Sequence, residues 1–251
     1  MIPRRPGNSS WRFVRISDDF RPMNLLREKL QRSAINARFV PFLIFCIITS
    51  AGGLLGGDWK FWLYALKVFV GVWLVWEMRP FVAEMRWAIS WEAIVVGVAI
   101  FAIWVGLDPY YPMNTLLFTD TKASLWNPFE RFGAGSAVAW ALICIRIAGM
   151  TFVVPPLEEV FYRSFLYRYF VRINFLEMPL TRFHPTSFIV TAVIFGLLHY
   201  EWLPGILCAM AYQWLVIRKG RLGDAMTAHA ITNFLLGVYV VWKGGTAWKF
   251  F

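Results

Sequence analysis

The chain is poor in the residue types that soluble enzymes rely on. Charged side chains make up 16% of its 251 residues, where soluble domains carry roughly 25%. Acids are scarcer than bases, 15 Asp and Glu against 25 Lys and Arg. Cysteine and histidine number three each. Cys46, Cys144 and Cys208 each stand alone in an apolar stretch without pairing or metal-ligand spacing, which argues against a disulfide framework and leaves them as core fillers. No His-Glu-x-x-His pair occurs, so the common zinc-protease signature is missing. There is no internal repeat and no low-complexity linker, which leaves one membrane domain.

Hydrocarbon is what the chain has in quantity. It is 59% hydrophobic with mean hydropathy +0.54, above the roughly 45 to 50% apolar usage of soluble domains. The composition predicts an integral membrane protein, an all-α polytopic transmembrane helix bundle. Up to eight apolar stretches are visible, at 39–56, 61–76, 88–107, 134–154, 156–171, 186–200, 202–217 and 225–242. Several fall short of the ~20 residues that span a bilayer, so tilt, kinks or partial insertion are expected. The 14 Trp and 9 Tyr suit interfacial anchors, as in Trp59-Lys60-Phe61-Trp62, Tyr110-Tyr111 and Trp242-Lys243.

A net charge of +10 raises the question of nucleic acid, but the bases concentrate ahead of the first apolar run. Arg4, Arg5, Arg12, Arg15, Arg21, Arg27, Lys29, Arg32 and Arg38 face only Asp18, Asp19 and Glu28 there. Basic flanks are ordinary in membrane proteins, so no nucleic-acid partner is expected and the N-terminus is placed in the cytoplasm, along anionic headgroups. Residues 20–38, with Phe20, Leu25, Leu26, Leu30 and Ile35 on one imperfect face, predict an interfacial helix. The 38 mostly polar residues ahead of the first apolar run do not read as a secretory signal. The chain is expected to divide into a basic leader, 1–38, a transmembrane scaffold, 39–133, and a second membrane core, 134–251. The break at 108–132 reads as an extended loop. If every stretch crosses, the turn Arg218-Lys219-Gly220-Arg221 falls outside, against the charge bias. Either one segment is re-entrant or interfacial, or the N-terminal bias does not dominate.

Polar residues inside apolar helices are costly and usually face a bundle interior or a watery cavity. Lys67 is expected to snorkel to an interface, and Arg146 to pair with a carboxylate in the bundle. The denser set lies further on: Glu158 and Glu159 with Arg163, His199 after Phe195, and His229 with Asn233. Each has a bland reading. Pro155-Pro156 stops one helix and starts another, so Glu158 and Glu159 serve as first-turn acids. His199 serves as a helix-end dipole partner, and His229-x-x-x-Asn233 as interhelical hydrogen-bond glue.

Spacing divides the pair of acids. Glu159 and Arg163 are four apart and share a face, where they can form an ion pair. Glu158 points about 100° away with no cation at helical spacing, which leaves it free to accept a proton from water. Amide hydrolysis needs a base for water, a group that positions it and donors for the oxyanion. One carboxylate, two imidazoles and a carboxamide supply these.

The ordered set Glu158-Glu159-x-x-x-Arg163, Phe195-x-x-x-His199 and His229-x-x-x-Asn233, spread over 156–236, resembles the CPBP intramembrane glutamic endopeptidases. That family includes type II CAAX prenyl endopeptidases, bacterial Abi proteins and exosortase-associated relatives. The resemblance implies that Glu158 with His199 activates the attacking water and that His229 and Asn233 form the oxyanion site. Arg163 would brace Glu159, and Phe195 would line the cavity. It implies an endopeptidase without a cofactor in a bacterial cytoplasmic membrane, acting on a membrane-anchored or hydrophobic peptide. The alternatives are a zinc-dependent membrane protease, a non-catalytic immunity or adaptor protein of the same family, and a small-solute transporter, against which the lack of inverted repeats counts.

Overall fold

The computed structural model describes residues 22–54, 57–115 and 126–251. Arg4, Arg5, Arg12, Arg15, Phe20 and Arg21 of the expected leader lie outside the described residues. Within them the protein is all-α, with no strand. The helices are α1 (Pro22–Arg32), α2 (Ala34–Leu54), α3 (Trp59–Met78), α4 (Trp91–Leu107), the short α5 (Pro128–Phe132), α6 (Ala137–Tyr169), α7 (Pro185–Leu197), α8 (Trp202–Lys219) and α9 (Gly223–Lys243). Among the described residues five segments are long and apolar enough to cross a membrane: Ala34–Ala51, Trp59–Phe81, Trp91–Tyr110, Ala137–Tyr169 and Gly223–Lys243. Phe69, Val95, Phe152, Ile189, Trp214 and Val238 lie exposed around the bundle, as lipid-facing side chains do. The protein is an integral membrane protein.

The expected interfacial helix ends early. Ser33 separates α1 from α2, so Ile35 and Arg38 belong to the first long helix. Eight apolar stretches reduce to seven, because 134–154 and 156–171 are parts of one continuous helix, α6. Pro155-Pro156 does not separate two helices. Two wide π-helical turns, Gly149–Val153 and Val160–Leu166, flank the α-helical stretch Val154–Glu159. A proline ring clashes with the carbonyl four residues back and removes a donor. Lengthening the hydrogen-bond step to five residues, as in Val154 N–H to Gly149 O, lets the chain continue. Glu158 and Glu159 therefore sit mid-helix, and the reading of them as first-turn acids fails.

Close backbone packing joins α4 to α9 and α7 to α8. A Cβ on Gly97 of α4 would lie 2.7 Å from Ala228 O and 2.8 Å from Ile231 Cβ of α9. A Cβ on Gly196 of α7 would lie 2.3 Å from Ile206 Cγ1 and 2.6 Å from Trp202 O of α8. Both contacts need glycine. Leu74, Met78, Leu157, Val160, Tyr212, Val216 and Met226 fill the buried core between the helices.

The two mid-helix cations meet aromatic rings. Lys67 is buried, its Nζ 4.3 Å from the Tyr64 ring centre and 4.9 Å from that of Phe45. It does not snorkel. The Arg146 guanidinium lies 4.1 Å from the Tyr64 ring, 4.4 Å from Trp126 and 4.9 Å from Phe251. Rings take the place of the expected carboxylate. Cation–π attraction is worth about 2 kcal/mol or more where water is excluded.

A second charged cluster ties α2, the segment before α4 and the end of α6. Glu84 accepts from Arg38 Nη2 at 2.8 and 2.9 Å and from Arg168 Nη2 at 2.9 Å, and Ser164 donates to it. Arg38 and Arg168 are both buried. Burial raises the Glu84 carboxyl, but Arg38 beside it and the Ser164 hydroxyl outweigh that and hold it below the ordinary carboxylate range. Because the folded-state value is depressed, this stabilisation is whole above the unfolded value of about 4.3 and drains away as pH falls below it. Glu84→Ala strands two buried guanidiniums and should cost about 3 to 5 kcal/mol at pH 7. Thermal unfolding in detergent from pH 7 down to pH 3 checks both points: the gap between wild type and variant should narrow with acid, and a gap that stays constant contradicts the assignment.

Candidate active site

The seven sequence-predicted residues come together. Glu158 and Glu159 project from the middle of α6, Phe195 and His199 come from α7 and the turn after it, and His229 and Asn233 from α9. A cavity of about 170 Å³ is lined by Glu158, Phe195, His199, His229 and Asn233, with Trp104, Tyr212 and Thr232 among its other walls. That volume holds several water molecules.

Glu159 is fully buried and divides its two oxygens. Oε2 lies 3.2 Å from Arg163 Nε, an ion pair at helical spacing with both side chains at most 1% exposed. Oε1 accepts from His229 Nδ1 at 2.9 Å. The Arg163 guanidinium is stacked over Phe195, 4.7 Å from the ring centre, with Tyr162 and Tyr212 each at 5.7 Å. Glu159 thus has a second partner beyond the expected one: it fixes His229 as well as pairing with Arg163. With Nδ1 engaged, Nε2 of His229 points toward Glu158, whose Oε2 is 4.0 Å away. Tyr212 stacks on the His229 ring at 5.3 Å and 30°. Its hydroxyl donates to Thr232 at 2.7 Å, and Thr232 in turn donates to Gly97 O of α4 at 2.9 Å.

His199 is held by its own helix end. Its Nδ1 lies 2.7 Å from Phe195 O. A carbonyl only accepts, so the proton belongs on Nδ1 and Nε2 is left as the acceptor. The imidazole stacks on the Phe195 ring at 4.5 Å and meets the Trp104 edge at 5.9 Å. The turn is braced from the loop after α4: Asn114 Nδ2 donates to Leu197 O at 2.7 Å and Trp202 Nε1 to Pro112 O at 2.9 Å. His184, outside the site, caps α7 by accepting from Ser187 N–H at 3.3 Å.

Asn233 answers a need created by the two prolines. Val154 N–H bonds to Gly149 O, and the next residue, Pro155, has no N–H, so the Met150 carbonyl loses both of its helical donors. Asn233 Nδ2 supplies one at 2.9 Å. Its other N–H and its Oδ1 are left for the cavity it lines.

Residues 139–235 match the family model for the Rce1-like type II CAAX prenyl endopeptidases. The likeness covers this segment of the chain. No curated protein and no solved structure matches the chain. The Rce1-like segment carries all seven motif residues, and its family is one of proteases. Sequence reasoning missed the walls outside the motifs. Trp104 lies before the Rce1-like segment, inside an apolar run. Tyr212 and Thr232 are uncharged and blend into apolar helices. Glu201, buried in the cavity wall, was within reach of the same logic, since it is an acid between two apolar stretches.

Asn233→Ala should leave the Met150 carbonyl unsatisfied and lower stability by about 1 to 3 kcal/mol, seen as a lower unfolding midpoint in detergent. Asn233→Gln keeps a carboxamide on a longer stem and should recover part of the loss; an unchanged midpoint for the alanine variant contradicts this role.

Proposed function

We propose that this protein is an intramembrane endopeptidase of the glutamate-activated type, cutting a peptide bond in a membrane-anchored or hydrophobic substrate. The observation that carries the reading is the 4.0 Å separation of Glu158 Oε2 and His229 Nε2 across a cavity that also takes His199 and Asn233. A water on Glu158 in that cavity lies beside the imidazole that faces the developing oxyanion, so base and donor stand on either side of one reacting centre.

Glu158 takes a proton from the attacking water, and His199, through its unprotonated Nε2, holds that water in line. The oxygen of the attacked carbonyl gains negative charge as the tetrahedral centre forms. His229, its ring fixed by Glu159, faces that oxygen through Nε2 and donates to it when protonated there, and Asn233 adds its second N–H. Collapse of the centre breaks the carbon–nitrogen bond, and Glu158 returns its proton to the departing amine. Low dielectric around the site strengthens each of these interactions.

The proposal uses no cofactor. A catalytic zinc takes three protein ligands and one open position. Among the described residues no group of three or more His, Cys, Asp and Glu side chains is arranged to hold a metal ion, and His229 Nδ1 is already engaged by Glu159. The helices of 39–133 act as scaffold, apart from the Trp104 wall, with 134–251 as the catalytic core. The protein works in a bacterial cytoplasmic membrane, with the bilayer and a hydrophobic peptide as partners and no role for nucleic acid.

Glu158→Gln and His199→Ala should each lower kcat by at least 10²-fold, the scale of general-base catalysis, with unfolding midpoints near wild type. Glu159→Ala strands Arg163 and should mainly lower the midpoint. Cleavage of membrane peptides in detergent, followed by mass spectrometry, reads the first effect. Full activity in a folded Glu158→Gln variant sinks the reading, as does activity lost to a chelator and restored by zinc.

A further inference from the structure

Glu201 is the second carboxylate of the cavity wall and stands outside the motif set. It is 6% exposed, and its Oε1 has no hydrogen-bond partner. Its charged neighbours do not neutralise it. Asp108, at the end of α4, accepts from Lys249 Nζ at 2.6 Å, which commits that lysine elsewhere. Asp108 Oδ1 and Tyr111 Oη, both in electrostatic contact with this group, are likewise buried without hydrogen-bond partners. Among the described residues no Lys or Arg lines the cavity. Two acids, Glu158 and Glu201, wall the cavity, and the buried, unpartnered Glu201 oxygen makes its end of it a place of negative potential in a medium of low dielectric. A cation entering there gains more than it would in water.

Resting on the peptidase reading, we propose that Glu201 is the selectivity element of the site and receives the lysine or arginine side chain of a substrate residue next to the scissile bond. A wholly apolar substrate would leave this buried carboxylate unpaired, whereas a basic side chain satisfies it, so the site discriminates by what it leaves unsatisfied. Burial pushes the Glu201 carboxyl up to about 7; its own backbone N–H and Lys249 lower it, and Asp108 raises it. Glu158, His199 and His229 face the same cavity, and Tyr111 lies beside Asp108. A proton on Glu201 competes with the incoming cation, so preference for a basic peptide strengthens as pH rises through about 7.

The test uses the full-length Glu158→Gln variant in detergent, which disables cleavage and removes the other cavity carboxylate. Two fluorescent Leu/Ala peptides of about 20 residues serve as probes, one with a central arginine and one with citrulline, its uncharged isostere. The arginine peptide should bind about 10- to 100-fold more tightly at pH 8, with a smaller ratio at pH 6, and Glu201→Gln added to this background should bring the ratio to one. Equal binding of the two peptides, no binding of the arginine peptide, or a preference that survives Glu201→Gln overturns the proposal. Wild-type cleavage of the same peptides separates the two readings: a binding preference without cleavage sinks the peptidase and keeps the cation site, while cleavage without preference does the reverse.

Discussion

A single buried carboxylate, Glu159, organises the site. An ionised carboxylate removed from water is expensive unless its oxygens are paired, and here one oxygen faces Arg163 and the other His229. The first contact lies within α6 and follows from helical spacing. The second crosses to α9 and locks two helices together with the imidazole ring turned one way. Because His229 is held through Nδ1, its other nitrogen has only one direction to face, and Glu158 stands there. The guanidinium of Arg163 in turn rests on Phe195, the residue that stacks on His199. A charge pair, a ring stack and a tautomer-fixing carbonyl thus connect all three motif segments.

The backbone of α6 makes that arrangement possible. Two prolines within an ordinary helix would kink it or end it. The π turns before and after Val154–Glu159 absorb the prolines and leave the Met150 carbonyl for Asn233. The same departure from regular helix that costs backbone hydrogen bonds creates a docking point for α9. Asn233 therefore serves the architecture as well as facing the cavity.

The fold class was legible in composition, and the site in the placement of a few ionisable residues within apolar runs. Glu159 with Arg163 could be read because four residues make one helical turn. What spacing does not carry is contact between distant segments. Arg38 looked like one more basic flank, yet it is buried on Glu84, 46 residues away. Arg146 looked as if it needed a carboxylate, but aromatic faces supplied by Tyr64, Trp126 and Phe251 serve it. Pro155-Pro156 read as a boundary because the local rule for proline is strong; the π turns that overrule it depend on α9 packing alongside. In each case tertiary structure supplied a partner that no local pattern announces.

The proposed mechanism requires Glu158 and an imidazole to hold one water between them inside the bundle. A high-resolution experimental structure of the wild-type protein in lipid measures this most directly. An ordered solvent molecule is expected about 2.6 to 3.2 Å from a Glu158 oxygen and from a nitrogen of His199 or His229. Glu158 turned away from both rings, with hydrocarbon side chains filling the space between, would contradict it.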